Sequence, residues 1–287
     1  MIEFPSAAAD RAVLAALEED AAACDLTTQW SVPDGLVSEA TIISRAHGII
    51  AGLQLVDLVM HHIDPSVSIK PYLADGDTAK PGDILVQLHG PARSLITGER
   101  TALNFLQRMS GIATLTSRFV AAVADFGVHV LDTRKTAPGL RALDKYAVRA
   151  GGGTNHRMNL AAMVLLKDNH VAAAGGVTAA ISAARSAMAR SGHSVTVEVE
   201  VQTLDEACQA LRSGAEWIML DNMSIPQLRD VVAHRHLATT PNVVLEASGT
   251  ITLPTARAIA GTGVNALSVG ALTHSAPALD LSMQLQP

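Results

Sequence analysis

The sequence predicts an α/β protein whose second part is a β/α barrel, complete or incomplete, and three observations carry that reading. Six short apolar runs recur after Gly127: VHVLDT from Val128, MVLLKD from Met163, VTVEVEV from Val195, WIMLDN from Trp217, VVLEAS from Val243 and ALSVGAL from Ala266. Continuous apolar runs of this length suit parallel strands buried on both faces. Ala-rich segments of helical length, such as Val177 to Arg190 and Thr203 to Ser213, lie between several of them, and such alternation builds parallel sheets. Aromatic residues make up only 3% of a chain that is 48% hydrophobic, so the core is aliphatic. An open doubly wound sheet is the competing arrangement, because periodicity does not reveal closure.

The first hundred residues mix shorter elements. Ala7 to Ala23 reads as a helix with apolar Val13, Leu14 and Leu17 and with acids Glu18, Glu19 and Asp20 towards its end. EATIISRAHGIIAGL reads as strand and turn, and GDTAKPGDILVQLHGPARSL as two strands joined by a Pro-Gly turn. Ile96 to Ala122 reads as one long helix, or as two with a break near Gly111. Pro138 to Ala150 has helical character, with Leu140, Leu143 and Ala147 on one side. Arg141, Lys145 and Arg149 recur every four residues on another side, the pattern of a solvated face.

Composition narrows the function classes. The two cysteines, Cys24 and Cys208, stand far apart, which argues for a reducing compartment and against a disulfide scaffold or a zinc site. The N-terminal MIEFPSAAADRAV lacks the basic and apolar regions of a secretory signal, and no uninterrupted apolar run reaches membrane-spanning length. A net charge of −6 disfavours a nucleic-acid binder. The expectation is a soluble cytoplasmic protein that engages neither membrane nor nucleic acid.

That net charge hides a local reversal. Arg134 to Lys167 holds seven of the 21 Lys and Arg residues and a single acid, Asp144, so the segment stands at +6 against −12 elsewhere. Arg134 and Lys135 follow a predicted strand, His156 and Arg157 follow the GGGTN turn, and Lys167 ends the next strand. Cations that converge repel one another unless an anion completes the site. Arg suits carboxylate and phosphate by its fork, and Lys is a movable point charge. The expected ligand carries several negative charges.

Lys135, Lys167, Asp168, Glu200, Asp221, Asn222, Glu246, Ser248 and Gly270 all fall at or near the C-terminal ends of predicted strands. In a β/α barrel those ends form the active-site mouth. Glu200 and Asp221 either pair directly with Lys135 or Lys167, or serve Mg²⁺ beside a phosphorylated substrate. EASGT and SVGALTHS are small-residue loops whose N–H groups can cradle phosphate. Walker A, HExxH, GxSxG and dinucleotide fingerprints are missing.

The run TRKTAPGLRALDKYAVRAGGGTNHR…KDNH resembles the quinolinate phosphoribosyltransferases, a type II phosphoribosyltransferase family of NAD biosynthesis. LEEDAAACDLTT, GPARSLITGERTALNFLQRMSGIAT, EVEVQTLDEA, MLDN, EASG and VGALTHS follow in family order, so the resemblance covers nearly the whole chain. Cys24, Gly98, Asn159, Ala162 and Thr250 depart from the usual residues, and Asn159 and Thr250 bear on loop geometry, because Thr adopts left-handed conformations poorly.

The resemblance implies an N-terminal α/β sandwich domain over 1–111, with a C-terminal tail of about 275–287 packing back on it, and an open, barrel-like catalytic domain over 112–274. It implies that quinolinate and phosphoribosyl pyrophosphate combine, with loss of pyrophosphate and CO₂, to give nicotinate mononucleotide. Arg134, His156, Arg157 and Lys167 would hold quinolinate, with Arg100 supplied by the partner subunit of a homodimer. Lys135, Glu200, Asp221, Ser248, Gly249, Gly270 and His274 would face the sugar donor. Lys135, Glu200 and Asp221 would be catalytic, the two acids serving Mg²⁺. The alternatives are a ModD-type homologue, associated with molybdate transport and acting on a different heterocycle, a Schiff-base aldolase using Lys135 or Lys167, and a non-catalytic anion-binding protein.

Overall fold

A computed structural model describes residues 3–286. Its first stretch runs α1 (Ser6–Glu19), α2 (Leu26–Ser31), β1 (Val37–Ser44), β2 (Gly48–Ile49), α3 (Leu53–Ile63), β3 (Ser68–Pro71), β4 (Thr78–Ala79), β5 (Ile84–Pro91) and α4 (Ala92–Val123). Next come β6 (His129–Leu131), α5 (Arg141–Ala150), β7 (Val164–Leu166), α6 (Asp168–Ala174), α7 (Val177–Ser191), β8 (Val197–Val201) and α8 (Leu204–Arg212). The chain finishes with β9 (Trp217–Asp221), α9 (Ile225–Ala233), β10 (Val244–Ser248), α10 (Leu253–Ala260), β11 (Ala266–Ser268), α11 (Ala271–His274) and β12 (Leu281–Gln286). Each of the six apolar runs contains one of the strands β6 to β11. No single helix among the described residues is long and apolar enough to cross a membrane; the bent pair α6 and α7 meets that test only when taken together.

The chain divides into two compact units. The first takes 3–117, 135–153 and 271–286; the second takes 118–134 and 154–270. Lys135–Gly153, which a linear cut near residue 111 assigns to the second domain, thus groups with the first unit.

The first unit is built on an antiparallel sheet of order β12-β1-β5-β3. Alternation along β1 buries Ser38, Ala40, Ile42 and Ser44, the period-2 pattern of a strand with one face on a core. In α3, Leu55, Val56, Val59 and Met60 are buried, a stripe at helical spacing. Asp75 accepts the Gly52 and Leu53 N–H groups at 2.8 and 3.0 Å, satisfying otherwise orphaned donors where α3 begins. The Pro-Gly turn after β4 is no hairpin: β4 pairs with β2, whereas β5 pairs with β1 and β3.

Of the two readings of the long helical segment, the single helix holds, and one expectation about α5 needs correction. α4 is one unbroken helix of 32 residues. Gly111 is required by a close approach and not by a break, since a Cβ there would overlap the Pro277 carbonyl oxygen. Lys145, expected on a solvated face, is fully buried. Every residue of α5 from Leu143 to Val148 is buried, so this short helix is enclosed around most of its circumference; of the four-residue repeat, Arg149 is exposed and Arg141 half-buried, while Lys145 between them is enclosed.

The second unit holds a parallel sheet of order β6-β11-β10-β9-β8-β7. A doubly wound sheet reverses direction at a switch point. Here the strands from β7 to β11 step in one direction, and the first, β6, joins beside the last. That is the circular order of a barrel opened between β6 and β7, and it decides for the incomplete barrel. A lone parallel bridge between Leu131 and Thr154 extends the β6 edge.

Candidate active site

Strand alternation puts every second side chain on one face. In β8 that face carries Glu198 and Glu200. Register sets Glu198 beside Trp217, Glu200 and Glu246 beside Met219, and Ser248 beside Asp221. Glu246, expected at a strand end, lies mid-strand in β10 and is fully buried, as is Glu198. The polar groups therefore form a closed inner tier and an outer tier at the strand ends.

The outer tier gathers Lys167, Glu200, Asp221, Ser248 and Gly249. Lys167 Nζ lies 3.2 Å from Glu200 Oε2, the direct pairing weighed above as one alternative. Asp221 Oδ2 accepts a hydrogen bond from Asn222 Nδ2 at 2.9 Å. Asn222 sits at φ 52° and donates its N–H to Ser248 O at 2.9 Å, locking the loop after β9 to the end of β10. Gly249, at φ 96°, has no room for a side chain, because a Cβ would overlap the Asn222 amide. Thr250 follows at φ 47°. Asn159 does not use its left-handed tolerance; its Oδ1 accepts the Ala161 N–H at 3.0 Å and closes a local turn.

The inner tier surrounds His156, whose side chain is 6% exposed. His156 Nε2 lies 3.0 Å from Glu198 Oε2 and 3.5 Å from Glu246 Oε2. Trp217 Nε1 donates to Glu246 Oε2 at 2.7 Å and packs edge-on against the imidazole. On the other side of the ring, the Arg157 N–H donates to His156 Nδ1 at 2.8 Å. The backbone is held as well: buried Asp132, just after β6, accepts the His156 N–H at 2.9 Å and a short hydrogen bond from Asn155 Nδ2. His156, expected among the substrate contacts, thus commits both ring nitrogens inside the unit.

Burial opposes a charge on His156, but the hydrogen bonds and charges of Glu198 and Glu246 outweigh it and push the pKa up to about 9. Burial also pushes the Glu198 carboxyl up, against the pull of His156 and with the charge of Glu246 adding to it. The Arg157 N–H requires a lone pair at Nδ1, so the tightly held protons lie on the Nε2 and carboxylate side. The three donor atoms lie within 4.8 Å of one another, a spacing a cation can bridge. The Nε2 contact and the Trp217 hydrogen bond already serve two of these atoms, and a shared proton suits the cluster better than a metal. Above it, burial first and the charge of Arg134 second push the Arg157 pKa down, while Glu198 pulls it up. Arg157 Nη1 also donates to Met163 O at 3.3 Å.

Lys135, His274 and Arg100 belong to the first unit. Arg100 is exposed on α4. Lys135 and His274 line a pocket of about 520 Å³ with Arg108, Thr136, Ala137 and Thr273. Its frame is Asp144, a fully buried carboxylate gripped at both oxygens by Arg108 at 2.9 and 2.8 Å. Asp144 also accepts the Ala137 N–H, Arg108 donates to Thr273 O, and Thr273 Oγ1 donates to Lys135 O. Sequence reasoning did not single out Arg108, Asp132, Trp217 or Glu198 for the site. For Glu198 a signal existed, because in EVEV it must share a face with Glu200.

The chain matches the family described as quinolinate phosphoribosyl transferase in both of its parts, the N-terminal domain over residues 25–110 and the C-terminal domain over 112–284. It is 44% identical over 267 residues to a probable nicotinate-nucleotide pyrophosphorylase (carboxylating) of Bacillus subtilis strain 168, covering 93% of this chain and 90% of that one. It is 41% identical over 282 residues to the chloroplastic nicotinate-nucleotide pyrophosphorylase (carboxylating) of Arabidopsis thaliana, covering 94% and 80%. Its fold matches the solved nicotinate-nucleotide pyrophosphorylase of Francisella tularensis with a TM-score of 0.93 at 38% identity, over 99% of this chain and 98% of that one.

Proposed function

This chain belongs to the quinolinate phosphoribosyltransferase family, and on that premise we propose that it joins quinolinate to phosphoribosyl pyrophosphate, forming nicotinate mononucleotide, pyrophosphate and CO₂ in NAD biosynthesis. The observation that carries this reading is a cationic group, Arg134 and Arg157, backed by buried carboxylates and flanked by Lys167, Glu200 and Asp221 at strand ends. A dicarboxylate matches the paired guanidinium forks. Arg134, Arg157 and Lys167 take the quinolinate carboxylates, and His156 contributes through the backbone it fixes. Lys135, Glu200, Asp221, Ser248, Gly249, Gly270 and His274 serve the donor.

Mg²⁺ fits the chemistry of the two acids. Lys167 and Asn222 each occupy one carboxylate oxygen of Glu200 and Asp221, which leaves a second oxygen on each for a hard cation that otherwise prefers water and phosphate oxygens. When bound, the ion would help neutralise the departing pyrophosphate.

The pyridine nitrogen attacks the sugar's anomeric carbon as the bond to pyrophosphate breaks, and Lys135 offsets charge growing on the leaving group. The nitrogen becomes cationic. It then stabilises the electron pair left on the adjacent ring carbon when that carbon's carboxylate departs as CO₂, and a proton completes the product. Ribosylation therefore precedes decarboxylation. The working unit is a cytoplasmic homodimer in which Arg100 completes the neighbouring subunit's site.

A direct test is chromatographic assay of nicotinate mononucleotide from quinolinate, phosphoribosyl pyrophosphate and Mg²⁺. Product is expected only when all three are present. Folded protein that forms none, and that binds neither substrate by calorimetry, overturns the reading.

A further inference from the structure

Glu198 and Glu246 touch no solvent, and the reaction above assigns them no role. Two buried carboxylates beside one imidazole are expensive, since burial disfavours each charge and the like pair repels. Glu198 Oε1 and Glu246 Oε1 accept no hydrogen bond among the described residues. Such groups do not persist in a core for the sake of stability alone, because an apolar or neutral replacement of the same shape is often neutral or stabilising.

Their geometry indicates what they do. They hold His156 Nε2 from two strands, β8 and β10, while Trp217 on the strand between them fixes Glu246 and walls the ring. The ring so held presents Nδ1 to the Arg157 N–H, and Asp132 holds the His156 N–H one residue earlier. Successive backbone donors on either side of Cα156 are thus clamped. The groups facing the imidazole are Glu198, Glu246 and Arg157, with Asp132 at its backbone. Arg134 and Arg157 repel each other, and Glu198 is the acid that opposes this at Arg157.

We infer that Glu198 and Glu246 are positioning residues for the dicarboxylate pocket: through the His156 ring they fix the turn that carries Arg157 before substrate arrives. This rests on the proposed function for the identity of the dicarboxylate, but not for the clamp itself.

The test uses full-length Glu198→Gln and Glu246→Gln, each nearly isosteric, so that if one fails to fold the other still reports. Hydrogen exchange, read by mass spectrometry on a peptide spanning Asn155 to Asn159, should quicken about tenfold. Quinolinate binding by calorimetry should weaken about tenfold, with the KM for phosphoribosyl pyrophosphate within about twofold of wild type. Tm should stay level or rise, which a merely structural role does not allow. Unchanged exchange in both variants overturns the inference, as does an affinity loss that only tracks a fall in Tm. Faster exchange in a protein whose wild type ignores quinolinate would uphold the clamp and sink the proposed substrate instead.

Discussion

Thr250 stands at φ 47° immediately after Gly249 at φ 96°. A β-branched residue in the left-handed region crowds its own carbonyl and costs about 1–2 kcal/mol, which glycine avoids. Thr250→Gly should therefore raise unfolding stability by about 1 kcal/mol, the gain trimmed by the extra freedom glycine gives the unfolded chain. Urea denaturation would measure it, and a loss of stability would show that the threonine side chain earns its place by contacts that outweigh the strain. Arg108 makes the opposite case. Its fork is the ion-pair partner of fully buried Asp144, and removing one member of such a pair leaves an uncompensated charge. Arg108→Met should cost about 3 kcal/mol, somewhat moderated because the arginine is 34% exposed. The backbone at Lys135 and Ala137 should loosen with it, so the KM for phosphoribosyl pyrophosphate should rise more than that for quinolinate. An equal rise in both would detach Arg108 from the donor side.

At the scale of elements, short α2 depends on its cap. Asp25 accepts the Thr28 N–H at 3.0 Å and reaches Thr97 Oγ1 on α4 at 2.9 Å. Bonds from the Thr28 hydroxyl and amide, joined by Thr97, hold its carboxyl below the ordinary 3.8. A carboxyl depressed on folding adds stability above its unfolded pKa and loses it as pH falls through the folded one. Asp25→Ala should thus destabilise by about 1 kcal/mol near neutrality, with the gap to wild type narrowing below about pH 4. Thermal melts at pH 7 and pH 3 would check both parts, and a gap that widened in acid would reverse the assigned sign.

The elements also show why some of this was legible in the sequence and some was not. Six apolar runs located β6 to β11 because strands buried on both faces read as near-continuous apolar sequence, even with Glu198 and Glu246 set inside β8 and β10. Their closing order was hidden, since it depends on β6 pairing with β11 across more than a hundred residues. The strand-end residues Glu200 and Asp221 were visible because polarity interrupts an apolar run. Glu246 was visible for the same reason but misplaced by two residues, enough to move it from the mouth into the core. Lys145 illustrates the limit of helical periodicity: a four-residue repeat tells which side chains share a face, not whether that face meets water. Arg108 and Asp144 lie on different helices, and nothing local in either segment announces the pair.

For the whole molecule, the question is whether one chain holds a complete set of cations. The segment Arg134 to Lys167 stands at +6, yet Arg100, exposed on α4, lies outside it. If Arg100 completes the neighbouring site of a two-fold dimer, every site combines one subunit's Lys135 with the other's Arg100. Arg100→Ala and Lys135→Ala should each be nearly inactive alone, each losing about 2–4 kcal/mol of transition-state stabilisation by comparison with lost oxyanion donors. Mixed and allowed to exchange subunits, half of the dimers become hybrids. A hybrid has one site lacking both residues and one site lacking neither. An equal mixture should therefore recover about one quarter of wild-type activity, a fraction set by symmetry alone. Native mass spectrometry would verify that the hybrids form. Activity that stays at the level of the separate variants, with hybrids present, would place Arg100 and Lys135 in the same subunit's site and remove the reason for a shared one.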